Sequence, residues 1–178
     1  FQYQISSDYL FHPNNHSIYY LKHDHKIRPY QLYHYDFLTK KNTMIYEEKN
    51  EEYSLSLSVS TDEQVIFLYS SAYEHNNIYQ IDDFDILDIF TQKQKHEYQI
   101  DHYQDKFYLL TNQNKKINFE LYESENLYQW KCIQKHSLSK YIESFFIWYD
   151  SIFLSIRVNG FPKLIQMNLN NYKTNEIK

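Results

Sequence analysis

The chain has 178 residues, 42% of them hydrophobic and 19% aromatic, with Tyr 20, Phe 12, a single glycine and a net charge of −5 from 18 basic and 23 acidic side chains. That balance excludes the basic surface that nucleic-acid binding requires; no apolar run approaches a membrane span, and the lone Cys132 excludes an internal disulfide and suits a reducing, cytoplasmic compartment. The length fits one domain or a piece of a larger one, and with so little glycine the turns fall to Asn, Asp and Ser.

Strand-like runs bounded by turn residues follow one another in four quartets. The first holds DYLFH (from Asp8), SIYYLK (from Ser17), PYQLYHYD (from Pro29) and TMIYEE (from Thr43). The second holds YSLSLSVS (from Tyr53), QVIFLYSSA (from Gln64), NNIYQID (from Asn76) and ILDIFT (from Ile86). EYQIDHY (from Glu97), KFYLLTN (from Lys106), NFELYES (from Asn118) and QWKCIQK (from Gln129) form the third. YIESFFIWY (from Tyr141), SIFLSIRV (from Ser151), PKLIQMNL (from Pro162) and a short NEIK (from Asn175) form the fourth. No stretch of helical length carries a 3.6-residue apolar stripe; the one candidate helical turn lies at Ser137 to Tyr141.

Turn chemistry punctuates these runs. Asn159-Gly160 is the strongest hairpin signal, and His12-Pro13-Asn14-Asn15, Thr61-Asp62-Glu63, Tyr103-Gln104-Asp105 and Asn112-Gln113-Asn114 each read as a turn between two strands. Tyr9, Tyr53, Tyr98 and Tyr141 mark the first strand of each quartet at steps of 44, 45 and 43 residues. Four strands every ~40–45 residues is the period of a β-propeller blade. The fold class is therefore all-β, with about four consecutive four-stranded antiparallel blades at approximately 1–50, 51–95, 96–139 and 140–178. Four blades with such long loops read as an arc cut from a larger ring.

The strict alternation of YSLSLSVS predicts Leu55, Leu57 and Val59 on one face against a neighbouring blade and the serines on the other. Its neighbour QVIFLY, apolar throughout, predicts a strand buried on both faces.

Chemistry-bearing clusters are few. Gly160 alone cannot supply a Gly-x-Ser-x-Gly nucleophile elbow, nor a glycine-rich phosphate loop. His23-Asp24-His25 has a spacing that suits Zn²⁺ but falls in a turn beside Lys22 and Lys26, which reads as a solvated loop. His96 and His102 are placed on one face of an alternating strand, with Glu97 and Asp101 opposite, as a structural or exposed pair. The carboxylate couples Glu47-Glu48, Glu51-Glu52 and Asp82-Asp83 with Asp85 flank turns and read as solvated. The tyrosines read as packing rather than as base-stacking platforms. No catalytic, cofactor-binding or metal residue is assigned.

Several runs resemble, in order and spacing, the propeller of oligopeptidase B in the prolyl oligopeptidase family of serine peptidases. They are KIRPYQLYHYDF (from Lys26), MIYEEKNEEYSLSLSVS (from Met44), HEYQIDHYQDKFYLLTN (from His96), KINFELYE (from Lys116) and NGFPKLIQMNL (from Asn159). Arg28-Pro29-Tyr30, Tyr46-Glu47-Glu48-Lys49, His96-Glu97-Tyr98, Asp101-His102 and Asn118-Phe119 are its most specific points. The resemblance implies a seven-bladed propeller capping an α/β-hydrolase domain of the same protein, admitting short peptides and excluding folded proteins, while the hydrolase half cleaves after Arg or Lys. This chain would supply middle-to-late blades. The glycine-flanked serine, the acidic S1 pocket and the triad belong to the half that this sequence does not contain, so no catalytic residue carries over, and Arg28-Pro29-Tyr30 reads as blade structure. The competing expectation is a non-catalytic propeller used as an interaction platform, or the remnant of a decayed peptidase gene. An arc of blades also leaves apolar faces and strand edges open, which predicts that residues 1–178 alone associate or pack loosely.

Overall fold

A computed structural model describes residues 5–12, 16–90, 96–113 and 117–177. Among them the chain forms sixteen strands and no α-helix. The strands are β1 (Ile5–Phe11), β2 (Ser17–His23), β3 (Pro29–Asp36), β4 (Asn42–Glu47), β5 (Ser54–Val59), β6 (Ile66–Ala72), β7 (His75–Asp82) and β8 (Asp85–Phe90). There follow β9 (Tyr98–Tyr103), β10 (Lys106–Thr111), β11 (Glu120–Ser124), β12 (Lys131–Gln134), β13 (Lys140–Trp148), β14 (Ser151–Val158), β15 (Phe161–Asn168) and β16 (Thr174–Ile177). They pair only with sequence neighbours, as four antiparallel meanders of four strands each. Each meander is one propeller blade. The chain divides into two compact units, Phe1–Lys95 and His96–Lys178.

In the first unit the sheets β1–β4 and β5–β8 share one core. Tyr19, Leu21 and Leu32 of the first sheet meet Leu55, Ile66, Leu68, Tyr79 and Ile81 of the second. The opposed registers Leu21↔Leu32 and Leu57↔Leu68↔Tyr79 show how the pleat puts these side chains on one face. β6 is buried on both faces, with Ile66, Phe67 and Leu68 almost wholly out of water. β5 is two-faced over its first half: Leu55 is buried between exposed Ser54 and Ser56, but Val59 at its end is 41% exposed. Ser60 explains the loss of alternation there. It is buried in the following turn, donating to Asp62 Oδ1 at 2.7 Å while its Oγ accepts the Val65 amide at 2.9 Å.

In the second unit the sheets β9–β12 and β13–β16 enclose a core that includes aromatic Tyr108 and Phe119. Leu110 and Leu121 lie with Ile142, Phe145, Ile147, Ile152, Leu154, Ile156 and Met167. On β13 Ile142, Phe145 and Ile147 are buried, while Phe146 (51% exposed) and Trp148 (63% exposed) face outward. A bulge between Ile142 and Ser144 keeps the buried set in phase.

The turns depart from the expected chemistry. Among the described residues eleven non-glycine positions take left-handed backbone, and only Asp83, Asp105 and Asn159 of these are Asn or Asp; Lys40, Glu63, Glu74, Gln104, Leu127, Tyr149, Tyr172 and even β-branched Ile27 (φ 64°) do the same work. Asn159-Gly160 (φ 51° and 84°) and Gln104-Asp105 (φ 52° and 60°) both place two consecutive left-handed residues at a hairpin tip, the geometry of a type I′ turn. Ser137 to Tyr141 is not helical: Ser137 and Lys140 form a bridge around a tight turn, and Lys140 begins β13. Pro13 to Asn15 and Asn114, expected in turns, lie outside the described residues.

Candidate functional site

The polar side chains that the fold uses are concentrated where one sheet meets the next. The β2–β3 turn carries Asp24 and Arg28, half-hidden side chains joined by Arg28 Nε to Asp24 Oδ2 at 2.9 Å. Asp24 Oδ1 also accepts the amides of Lys26 (2.8 Å) and Arg28 (3.1 Å), closing the turn around strained Ile27. Loss of solvent pushes the Asp24 pKa up, but these amides and the guanidinium outweigh it and hold the carboxyl below its usual range. The same guanidinium then reaches across. Its Nη1 donates to the carbonyls of Tyr53 at 2.8 Å, Asn50 at 3.1 Å and Glu48 at 3.4 Å, gripping the segment that leads from β4 into β5. Tyr30 lies under the guanidinium at 5.4 Å. A planar, permanently charged donor fork suits three carbonyls and a carboxylate at once; a lysine point charge would not.

Behind this clamp, Glu48 Oε2 accepts Ser70 Oγ at 2.5 Å, and the Tyr46 and Tyr79 hydroxyls meet at 3.0 Å. Burial first, and then the contact with Tyr79, raises the Tyr46 pKa well above the ordinary phenol value, so it stays a neutral donor. At the opposite edge of the sheets, the backbone amide of Leu57 donates to Asp8 Oδ2 at 3.2 Å. A first strand, open along one edge, thereby satisfies a backbone group with a side chain from the neighbouring first strand.

The second unit repeats that device with an amide. Gln99 of β9 donates through Nε2 to the Phe145 carbonyl at 2.8 Å and accepts the Phe145 amide at 3.2 Å, imitating one rung of a ladder. Its main polar hub is Glu123 of β11, whose side chain is only 7% exposed. Lys131 Nζ at 2.9 Å, Lys106 Nζ at 3.2 Å and the Tyr172 hydroxyl at 2.6 Å all donate to it. Burial works to raise the Glu123 pKa, but the three donors prevail and lower it. The hub also pushes the Tyr108 hydroxyl, already raised by burial, up to about 12. A cleft of about 160 Å³ opens beside Lys106, Glu123, Asn126 and Lys131, but both lysines there are turned to Glu123.

Successive four-stranded antiparallel meanders are also what comparison with known proteins returns. The family model for the prolyl oligopeptidase N-terminal β-propeller domain matches residues 5–178. The chain belongs to that family. Its curated relative Protease 2 of Moraxella lacunata is 24% identical over 155 residues, covering 83% of this chain and 22% of that protein. Among solved structures, oligopeptidase B of Leishmania major superposes with a TM-score of 0.84 at 15% identity, covering 95% of this chain and 26% of that one. Oligopeptidase B of Trypanosoma brucei, in a closed form with covalently bound antipain, gives 0.87 at 15% identity over 98% of this chain and 27% of that one. The chain thus spans about a quarter of the length of these relatives.

Several of the residues that the sequence marks engage neighbours within these blades. His23 is the last residue of β2, paired with Pro29, while Asp24 serves the Arg28 clamp and its own turn and His25 is exposed, so the His23-Asp24-His25 triplet straddles a strand end instead of lying wholly in the turn. β9 begins at Tyr98, so His96 lies before the strand that carries His102. His102 is buried against Phe107 at 4.6 Å, while His96 meets Tyr98 edge-on at 6.4 Å. Glu97 is tied to Asn112, which accepts its amide at 2.9 Å. Of the carboxylate couples, Glu51 pairs with Lys26 at 2.6 Å on the surface and Glu47 accepts Gln31 at 2.8 Å, both exposed, as expected. Glu48 is different. It is half-buried in the seam rather than solvated, because Ser70, across the seam, supplies a donor. Asp82 and Asp85 are exposed; Asp83 meets His12 at 3.1 Å. Cys132 is half-buried on β12. Sequence reasoning passed over Glu123, although period-two alternation puts it on the same face as fully buried Leu121.

Proposed function

We propose that this chain is part of the propeller of an oligopeptidase B-like serine peptidase and acts in substrate access rather than bond cleavage. In this reading it partners an α/β-hydrolase domain of the same protein, the substrates are short peptides cut after Arg or Lys, and the enzyme works in the cytoplasm. The observation that carries the reading is the family match over residues 5–178, combined with a span of only 22% of Protease 2. A filter must be stiff to discriminate by size: an extended peptide passes a narrow opening, whereas a packed domain must first unfold. The seam chemistry supports such stiffness, since Arg28 and Glu123 each engage several partners with little freedom to swing.

The test is to express residues 1–178 together with the sequence that flanks them and assay short reporters ending in Arg, Lys or Glu beside a folded protein bearing the same sites. The expected result is hydrolysis of the Arg and Lys reporters and resistance of the folded protein. Arg28→Ala, which loosens the grip on the segment between β4 and β5, should let folded protein be cut while leaving the short reporter within about twofold. Absence of hydrolysis would return the chain to the class of non-catalytic propeller modules. Equal cleavage of folded and short substrates by the intact protein would remove the access role.

A further inference from the structure

One cluster in the first unit is left unused by the seam clamps and by the access reading. Tyr19 is fully buried, its ring 5.6 Å from that of His12 on one side and 5.1 Å from that of His34 on the other. Its hydroxyl donates to the Asp83 carbonyl at 2.9 Å. Asp83, in left-handed backbone at the tip between β7 and β8, directs its carboxylate to His12 Nε2 at 3.1 Å. The next residue, Phe84, stands edge-on to the His34 ring at 4.5 Å. The tip of the second sheet is therefore seated on the first sheet by one hydroxyl, one aromatic edge and two imidazoles.

His34 is the unusual member. It is 5% exposed, and its Nδ1 is buried with no hydrogen-bond partner. The charged groups that bear on it are His12 from the loop after β1, Asp36 on its own strand and Asp83 from the tip. Neither carboxylate meets Nδ1, so a proton placed there would be a buried charge without an acceptor. We propose that the β7–β8 tip is an acid-released latch, seated while the His34 ring is neutral and freed when that ring takes up a proton.

Burial, then His12, lower the His34 pKa in the seated state, with Asp36 and Asp83 opposing more weakly. In the released state the ring returns to the ordinary value near 6.5. The released state thus binds more protons as the pH falls below that value, so seating is complete above it and is lost progressively beneath it. His12 Nε2 meets the Asp83 carboxylate at 3.1 Å. That carboxylate is 68% exposed, however, and solvent-screened pairs contribute little. The buried ring decides the sign. The latch concerns this chain alone and stands whether or not the peptidase reading does.

The experiment is amide hydrogen exchange on the protein that carries residues 1–178 together with the sequence that flanks them, at pH 7.5 and 5.0, corrected for intrinsic exchange, with the His34 ring titration read in parallel by NMR of labelled histidine. Protection of the amides around the tip should fall by about tenfold at pH 5.0, with no matching change around Leu121. In His34→Phe the acid-induced loss should shrink to less than about twofold, while His12→Gln keeps it. Phe84→Ala covers the case of a His34 variant that does not fold. It should release the tip at both pH values and return the His34 midpoint to about 6.5. Wild-type protection that ignores pH, an acid response that survives in His34→Phe, or a His34 midpoint unmoved by Phe84→Ala would each overturn the latch.

Discussion

The two units solve the same problem, joining one four-stranded sheet to the next, with different materials. In the first, the seam is aromatic and hydroxylic: Tyr19, Tyr46 and Tyr79 reach across with ring and hydroxyl, and Arg28 binds carbonyls along the linking segment. In the second, Tyr108, Phe119 and Phe145 pack among the aliphatic side chains without hydroxyls meeting across the core as Tyr46 and Tyr79 do, and the buried carboxylate of Glu123 takes three donors at once. What they share is the contact between first strands, Asp8 to Leu57 and Gln99 to Phe145, where a side chain stands in for a missing strand partner. The lesson is that edge satisfaction is common to both seams, whereas the filling between the sheets is free to vary. A hydroxyl-rich seam spreads its stability over many small terms of about 1 kcal/mol. A carboxylate hub concentrates it in one place.

The largest test removes core volume from each seam. Leu32→Ala and Leu121→Ala each delete a fully buried side chain and should cost about 2–5 kcal/mol. Both tryptophans, Trp130 and Trp148, lie in the second unit, so indole fluorescence in a urea titration reports on that unit alone. Leu121→Ala should move the fluorescence midpoint, and Leu32→Ala should move only the circular-dichroism transition. If Leu32→Ala shifts fluorescence equally, the units melt as one body and the comparison of separate seams fails.

Glu123→Ala comes next, with an expected loss of about 2–3 kcal/mol, held down by the exposure of Lys131. Its pH signature sharpens the contrast. Because the folded carboxyl has a lowered pKa, its contribution is present above the unfolded value near 4.5 and disappears as the pH falls through the folded one. The wild-type fluorescence midpoint should therefore hold from pH 7.5 to about 5 and fall below about 4.5, and Glu123→Ala should flatten that fall. A midpoint that drops between pH 7 and 6 would show that some other group governs this seam.

Arg28→Lys should cost about 1.5–3 kcal/mol, seen in circular dichroism, because a single ammonium cannot serve Asp24 and three carbonyls together. This residue also shows what was legible in the sequence. Sixteen short runs, their meander order and the two-faced first half of β5 follow from period-two alternation and turn residues, which are local properties. The purpose of Arg28 is not local. Its carbonyl partners lie 20 to 25 residues downstream in the next linker and carry no side-chain signature at all. Glu48 was misread as solvated for the same reason, since its donor Ser70 comes from another sheet. Glu123 was legible in principle: a carboxylate in phase with Leu121 must be buried, and burial demands cations.

The smallest expected effect is a gain. Ile27 holds φ 64° in the turn that Asp24 and Arg28 close, a backbone region that costs a β-branched residue about 1–2 kcal/mol. It is 68% exposed, so it gives little packing in return. Ile27→Asn should stabilise the first unit by about 1 kcal/mol, and it should do so more in Arg28→Lys than in the wild type. With the clamp weakened, the turn must rely on its own conformational preference. A double-mutant cycle reads this directly: equal gains in both backgrounds would mean that the clamp and the strained turn are independent, and that Arg28 holds only the linker and not the turn from which it springs.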